Sequence, residues 1–181
     1  MHRIVSTVTT IVQHLQSVLA DPDLYRPHAC PHCSVHRVWH HGCYYRKADR
    51  IPGGDERLDP IPILRFFCSD CCRTCSRLPA CIAPRRWYAW AIQQAVLLIL
   101  LAGGSLNECC RQFPTGPCLA TVRRWWGWLH ESGPQFGLHL RSRWPELGCV
   151  ASDCTFWHSV LTARGLAAVM AWLDNHACTV P

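Results

Sequence analysis

No stretch of this chain is apolar for long enough to cross a bilayer. The longest, Trp87 to Ala102, has 16 residues with Gln93 and Gln94 in its middle, short of the roughly 20 that a spanning helix needs. A secretory core is missing too, because Ile4 to Leu19 is interrupted by Ser6, Thr7, Thr9, Thr10, Gln13, His14 and Gln16. Lysine is nearly absent: 17 of the 18 basic residues are arginine. Carboxylates are sparse, and after Asp153 only Asp174 remains. A sheet bearing three acids around two metal ions, as metal-assisted phosphoryl transfer requires, is therefore not expected. These absences leave a cytoplasmic, non-membrane protein without an evident catalytic set.

Cysteine is abundant instead, at 14 in 181 residues. Without an export signal these are expected to be reduced thiols and metal ligands rather than disulfides. Two Cys-x-x-Cys pairs stand out, Cys30-Pro31-His32-Cys33 and Cys68-Ser69-Asp70-Cys71. Each offers two thiolates from one tight turn, and two such turns face to face make the four-sulfur cage that Zn2+ prefers. The 34 intervening residues exceed the usual spacing of about 15 to 20. The excess fits one hairpin tip, Ala48 to Pro60, where added length costs little loop entropy. Strands are expected at Val35 to Trp39, Gly42 to Lys47, Ile61 to Phe67 and Thr74 to Leu78, from their β-branched and aromatic residues. So thin a sheet has almost no core, and the metal has to supply its stability. Cys72, Cys75 and His32 offer further ligand atoms, but Cys30, Cys33, Cys68 and Cys71 are the set with symmetric spacing. Cys43, Cys72, Cys75 and Cys81 read as small buried residues, and His36, His40 and His41 as surface or supporting groups.

Between Arg26 and Arg86 lie eleven basic residues, Arg46, Lys47, Arg85 and Arg86 among them, against five acidic ones. Interleaved with Trp39, Tyr44, Tyr45, Phe66 and Phe67, this charge suits a phosphate backbone. The competing reading is structural, since zinc held by four thiolates is itself negative and attracts arginine.

Helical periodicity appears at Ile4 to Leu19, ended by Asp21-Pro22, and at Trp87 to Ala102, ended by Gly103-Gly104. Ser105 then caps Leu106 to Gln112, with Glu108 placed to complete a capping box. After a turn at Phe113 to Pro117, a third helix over Leu119 to His130 buries Val122, Trp125, Trp126 and Leu129. Helix, short helix, turn and amphipathic helix are the parts of a helix-turn-helix. Its third helix would present Thr121, Arg123 and Arg124 near the N-terminus, where recognition helices meet base edges.

Taken together, Cys30 to Cys33, His41 to Lys47, Arg65 to Cys71, Pro84 to Tyr88 and Thr121 to Trp126 resemble the short zinc-ribbon plus helix-turn-helix proteins of bacterial insertion sequences. That group is akin to the DNA-binding N-terminal portions of transposases. The resemblance, from about Tyr25 onward, implies zinc at the four cysteines and double-stranded DNA contact by the helix holding Thr121 to Trp126. It also implies a nucleoid-associated location, and a transposase or a second copy as partner. The chain departs from such ribbons in carrying Cys72 and Cys75, where glycine and an aromatic residue are usual.

Farther on, helices are expected at Gln135 to Arg143 and, capped by Thr162, at Ala163 to Asn175, with a strand from Gly148 to Trp157 between them. Asp153 would sit on that strand. The expected fold is α+β, with an N-terminal helix (1–25), a zinc ribbon (26–84), a helix-turn-helix (85–131) and a C-terminal extension (132–181). The expected function is non-enzymatic DNA binding in a mobile element. RNA binding through the aromatic ribbon and a thiol- or zinc-dependent enzyme built on Cys72 and Cys75 are the alternatives.

Overall fold

The computed structural model describes residues 4–47, 60–84, 88–149, 152–176, 178 and 180. Their elements run β1 (Ile4–Val5), α1 (Ile11–Ala20), a 3-10 turn (Pro22–Tyr25), β2 (Val38–Arg46), β3 (Ile61–Cys68), β4 (Thr74–Cys75), β5 (Leu78–Pro79), α2 (Trp90–Leu101), α3 (Leu106–Gln112), α4 (Leu119–Arg143), α5 (Pro145–Gly148), α6 (Asp153–Arg164) and α7 (Leu166–Asn175). The fold is α+β: a three-stranded antiparallel sheet in the order β2-β3-β4, a parallel β1-β5 pair, and, among the described residues, seven α-helices. No described helix is long and apolar enough to cross a membrane.

The helix expected from Ile4 starts only at Ile11. Thr10 is its N-cap, accepting the Gln13 N–H while the Gln13 side chain reaches back to the Thr10 N–H, so two orphan donors are satisfied reciprocally. Ile4 and Val5 are drawn instead into parallel pairing with Leu78 and Pro79. Asp21 closes α1 as expected. Its buried His14 spans two other elements: Nε2–H donates to the Pro62 carbonyl at 2.7 Å, and the Tyr25 hydroxyl donates to Nδ1 at 2.6 Å.

The strands expected at Val35 to Trp39 and Gly42 to Lys47 are one strand, β2, interrupted by a bulge between His40 and Cys43. There His41 and Gly42 oppose the single residue Arg65, and Gly42 takes φ 73°, the left-handed conformation that glycine adopts without steric cost. The hairpin tip proposed for Ala48 to Pro60 lies outside the described residues, save for Pro60.

Helices α2, α4, α6 and α7 enclose the larger core. Val96, Leu97, Val122, Trp125, Leu140, Phe156, Leu161, Leu166 and Met170 are all but fully buried there, and Ile4 of β1 joins them. Asp174 of α7 accepts the Ile4 N–H at 2.8 Å, and Arg77 donates to the Ile4 carbonyl at 3.2 Å. The first strand thus ties β5 to α7. Ser105 caps α3 by accepting the Glu108 N–H, but the Glu108 carboxylate takes a hydrogen bond from Gln112.

Three expectations fail in the C-terminal half. The third helix does not stop at His130: α4 runs 25 residues to Arg143 with Pro134 inside it. Proline removes one helical hydrogen bond, yet packing holds the helix through it. Trp157 Nε1–H donates to the Gly133 carbonyl at 3.3 Å, and a Cβ on Gly133 would meet that nitrogen at 3.1 Å, so the glycine is what lets α6 approach. The strand expected over Gly148 to Trp157 is largely the start of α6, capped by Ser152 accepting the Thr155 N–H. Thr162 lies inside α6 rather than capping α7, whose N-cap is Gly165 at φ 77°.

Candidate metal centre and exposed helix start

Both Cys-x-x-Cys turns are built alike. The Cys30 N–H donates to the Val35 carbonyl at 2.8 Å, and the Cys68 N–H to the Arg73 carbonyl at 3.0 Å; each bond closes a loop around the pair. The residue after each second cysteine, Ser34 or Cys72, is left-handed at φ 61° or 54°. A bond from the Ser69 N–H to the Arg37 carbonyl, 3.2 Å long, ties the second turn to the first.

This brings Cys30, Cys33, Cys68 and Cys71 together, with all four Sγ atoms within 4.8 Å of one another. Cys30 lies 3.6 Å from Cys71, and Cys33 lies 3.6 Å from Cys68, sulfur to sulfur. Tetrahedral thiolates about 2.3 Å from a zinc ion stand about 3.8 Å apart, so the four thiols fit a metal ion. Cys30 and Cys68 are buried, whereas Cys33 and Cys71 are half-buried or open. Burial pushes the Cys30 thiol up, but the N–H groups of His32 and Cys33 together with the thiols of Cys71 and Cys33 bring it down to about 7. Cys33 is favoured by the Val35 N–H, yet burial and the neighbouring thiols push it up to about 12. Four thiolates so close together need a cation among them to ionise jointly.

Cys75 falls outside the cage. Burial and the charges of Cys30, Cys68 and Cys71 push its thiol up to about 11, which keeps it protonated. Cys72 is exposed and turns toward the Ser69 carbonyl at 3.9 Å. Cys72 and Cys43 are thus surface groups, against the expectation that they are buried. His36, His40 and His41 are exposed, as anticipated. The aliphatic and aromatic core beside the cage is small, with Val5, Val8, Tyr25, Val38, Leu64 and Phe66 as its buried members. So small a core needs help to order its chain.

The residues expected to touch nucleic acid are distributed over two regions. Arg123 and Arg124 are exposed early in α4, and among the described residues neither has an acidic partner. Thr121 is half-buried, 3.5 Å from the thiol of the N-cap residue Cys118. Its hydroxyl and N–H draw the exposed Cys118 thiol below its ordinary value. Trp125 is buried, while Trp126 is only partly covered and carries His130 on its ring. Six residues, Phe113 to Cys118, join α3 to α4, more than the 3 to 4 usual in a helix-turn-helix. Lys47 is exposed just beyond β2. Arg46 is half-buried, and its guanidinium donates to the Ala83 carbonyl at 2.7 Å, so it has a structural bond that the sequence did not signal. Both lie at the hairpin end opposite the cage, since Arg46 pairs with Ile61 and Val38 with Cys68, about 23 Å away at strand rise. Arg85 and Arg86 lie outside the described residues.

Asp153 is not on a sheet. It opens α6 and pairs with Arg141 at 3.4 Å, an ion pair at a helix N-terminus where a carboxylate is favoured. Comparison with family models, curated proteins and solved structures finds no match to this chain.

Proposed function

We propose that this is a zinc-stabilised, double-stranded DNA-binding protein of a mobile element, an accessory factor, regulator or detached binding half of a transposase. The observation that carries the reading is the four-thiol cage at Cys30, Cys33, Cys68 and Cys71, set beside a small buried cluster. A structural metal of the zinc kind supplies about 10 to 16 kcal/mol of apparent binding energy in small domains. The cation surplus supports the second half of the reading. Residues 26–84 carry nine basic side chains against five acidic ones, so even a doubly negative zinc-thiolate centre leaves this stretch positive. Exposed Arg123 and Arg124, with no acidic partner among the described residues, suit a helix that holds guanine edges or phosphates. The link to insertion sequences rests on the resemblance of the motifs alone.

The test separates reading from gripping. The preferred duplex is selected from random sequence, and fluorescence anisotropy then compares it with a scrambled duplex. Loss of a guanine contact in Arg123→Ala or Arg124→Ala should cost about 1–3 kcal/mol on the selected site and little on the scrambled one. Lys47→Ala should weaken both alike and lower the salt slope by about one. Arg46 is set aside because its bond to Ala83 makes any loss ambiguous. Absence of duplex binding by the metal-loaded protein would end the proposal.

A further inference from the structure

Strand β2 is exposed along most of its length on both faces of the sheet, and its bulge decides which of its side chains share a face. Trp39 pairs with Phe67 and so shares its face, and His41 packs on Phe67 at 5.5 Å between ring centroids. Strict alternation would next place Cys43 on this face and turn Tyr44 away. The extra residue at His41-Gly42 reverses that parity, pairing Tyr44 with Ile63 and Cys43 with Leu64. Tyr44 thereby joins Trp39 and His41, while Tyr45 goes to the opposite face. Trp39 is 58% exposed and Tyr44 39%. They stand about 13 Å apart, four residues along β3 at strand rise. Arg65 lies between them in register and bonds to Thr74, which also faces Phe67 from β4.

An exposed aromatic row needs an explanation, since large apolar groups left in water mark interaction sites. We infer that the Trp39–His41–Tyr44 face stacks the bases of an unpaired DNA strand. Two observations choose this occupant. Cations flank the row, with Arg65 within it, Arg37 beside Trp39, Arg73 next to Thr74 and Lys47 past the end of β2, while Asp70 is the acid in this described region and pairs with Arg37 at 3.5 Å. Aromatic platforms within positive charge bind single strands irrespective of sequence, because every base has a π-face. The second observation is the bulge. The edge strand β2 would invite backbone pairing with another chain, but a bulge breaks the ladder such pairing requires, whereas stacking uses side chains alone. This inference rests on the DNA-binding reading and gives the ribbon a task distinct from that of α4.

The test uses the full-length, zinc-loaded chain and a labelled thymidine 20-mer, with an unrelated duplex and a uridine RNA 20-mer as parallel arms. Trp39→Ala and Tyr44→Ala should each weaken single-strand binding about tenfold or more, with duplex binding and zinc content unchanged. Trp39→Phe should restore most of the Trp39→Ala loss. Tyr45→Ala is the decisive control: Tyr45 is the more exposed at 68% but lies on the other face, so it should bind as the parent does. Parent-like binding by both Trp39→Ala and Tyr44→Ala, or an equal loss in Tyr45→Ala, overturns the inference. So does tighter binding of RNA, or a dimer seen by sedimentation without nucleic acid that Trp39→Ala dissolves. Duplex binding without single-strand binding would sink this inference alone, and the converse would sink the duplex reading of α4 alone.

Discussion

Ser34 and Cys72 occupy equivalent places in the two cysteine turns, each one residue past a second cysteine, and hold the same left-handed backbone at φ 61° and 54°. Neither is glycine, although left-handed backbone costs an ordinary residue about 1–2 kcal/mol. Both are held there by what surrounds them. The Ser34 N–H donates to the Cys30 carbonyl, and the Cys30 and Cys68 amides close their loops onto Val35 and Arg73.

Ser34→Gly and Cys72→Gly should therefore stabilise the zinc-loaded protein, each by about 0.5–1 kcal/mol once the entropy of the added glycine is offset. Ser34→Val, which tolerates this backbone poorly, should destabilise it by about 1–3 kcal/mol. Urea midpoints at fixed zinc concentration measure all three. A loss of stability in both glycine variants would show that these turns owe their shape to the side chains.

Gln93 is fully buried in α2, and among the described residues neither its amide nitrogen nor its oxygen has a hydrogen-bond partner. A buried polar group left unsatisfied costs about 1–3 kcal/mol. Gln93→Leu or Gln93→Met should raise stability by that order, read as a higher urea midpoint with an unchanged slope. A fall in the midpoint would mean that the amide is satisfied in solution, by water or by local rearrangement.

His14 should make stability depend on pH. Burial lowers its pKa from the ordinary 6.5, the bond to the Pro62 carbonyl opposing the shift more weakly, so the folded protein holds the neutral ring. The unfolded chain takes up a proton near 6.5 before the folded one does. The contribution is thus complete above about pH 6.5 and is lost as pH falls through 6.5 toward the lower folded value. Acid also releases metal from thiolates, in parent and variant alike, so the measurement is the difference between parent and His14→Gln. That difference should shrink between pH 7.5 and pH 5.5; a constant one would contradict a neutral buried ring.

Several parts of this architecture could be read from residues. The cage was legible because two identical spacings, Cys30/Cys33 and Cys68/Cys71, leave few ways to converge, and α3 because Ser105 and the glycines before it punctuate the chain. Thr10 and Gln13 formed an equally plain start signal, but it lay within a longer apolar periodicity whose first residues, Ile4 and Val5, are claimed by Leu78 and Pro79. Leu119 to His130 and Gln135 to Arg143 read as two helices with Pro134 between them, and only the contact of Gly133 with Trp157 shows why α4 continues. The start of α6 read as a strand because Thr155, Phe156 and Trp157 are strand formers, while the Ser152 cap decides otherwise. The face chosen by the β2 bulge was not legible at all, since one inserted residue changes parity without altering composition.

The central claim is that four named cysteines hold one zinc ion and that the ribbon depends on it. Metal analysis of purified parent, Cys68→Ser, Cys72→Ser and Cys75→Ser proteins, paired with circular dichroism before and after chelation, tests it most directly. The account predicts one zinc per chain in the parent, Cys72→Ser and Cys75→Ser, little or none in Cys68→Ser, and loss of the sheet signal when zinc is removed. A full complement of tightly bound zinc in Cys68→Ser, with its loss in Cys75→Ser, or a parent that folds alike with and without metal, would contradict it.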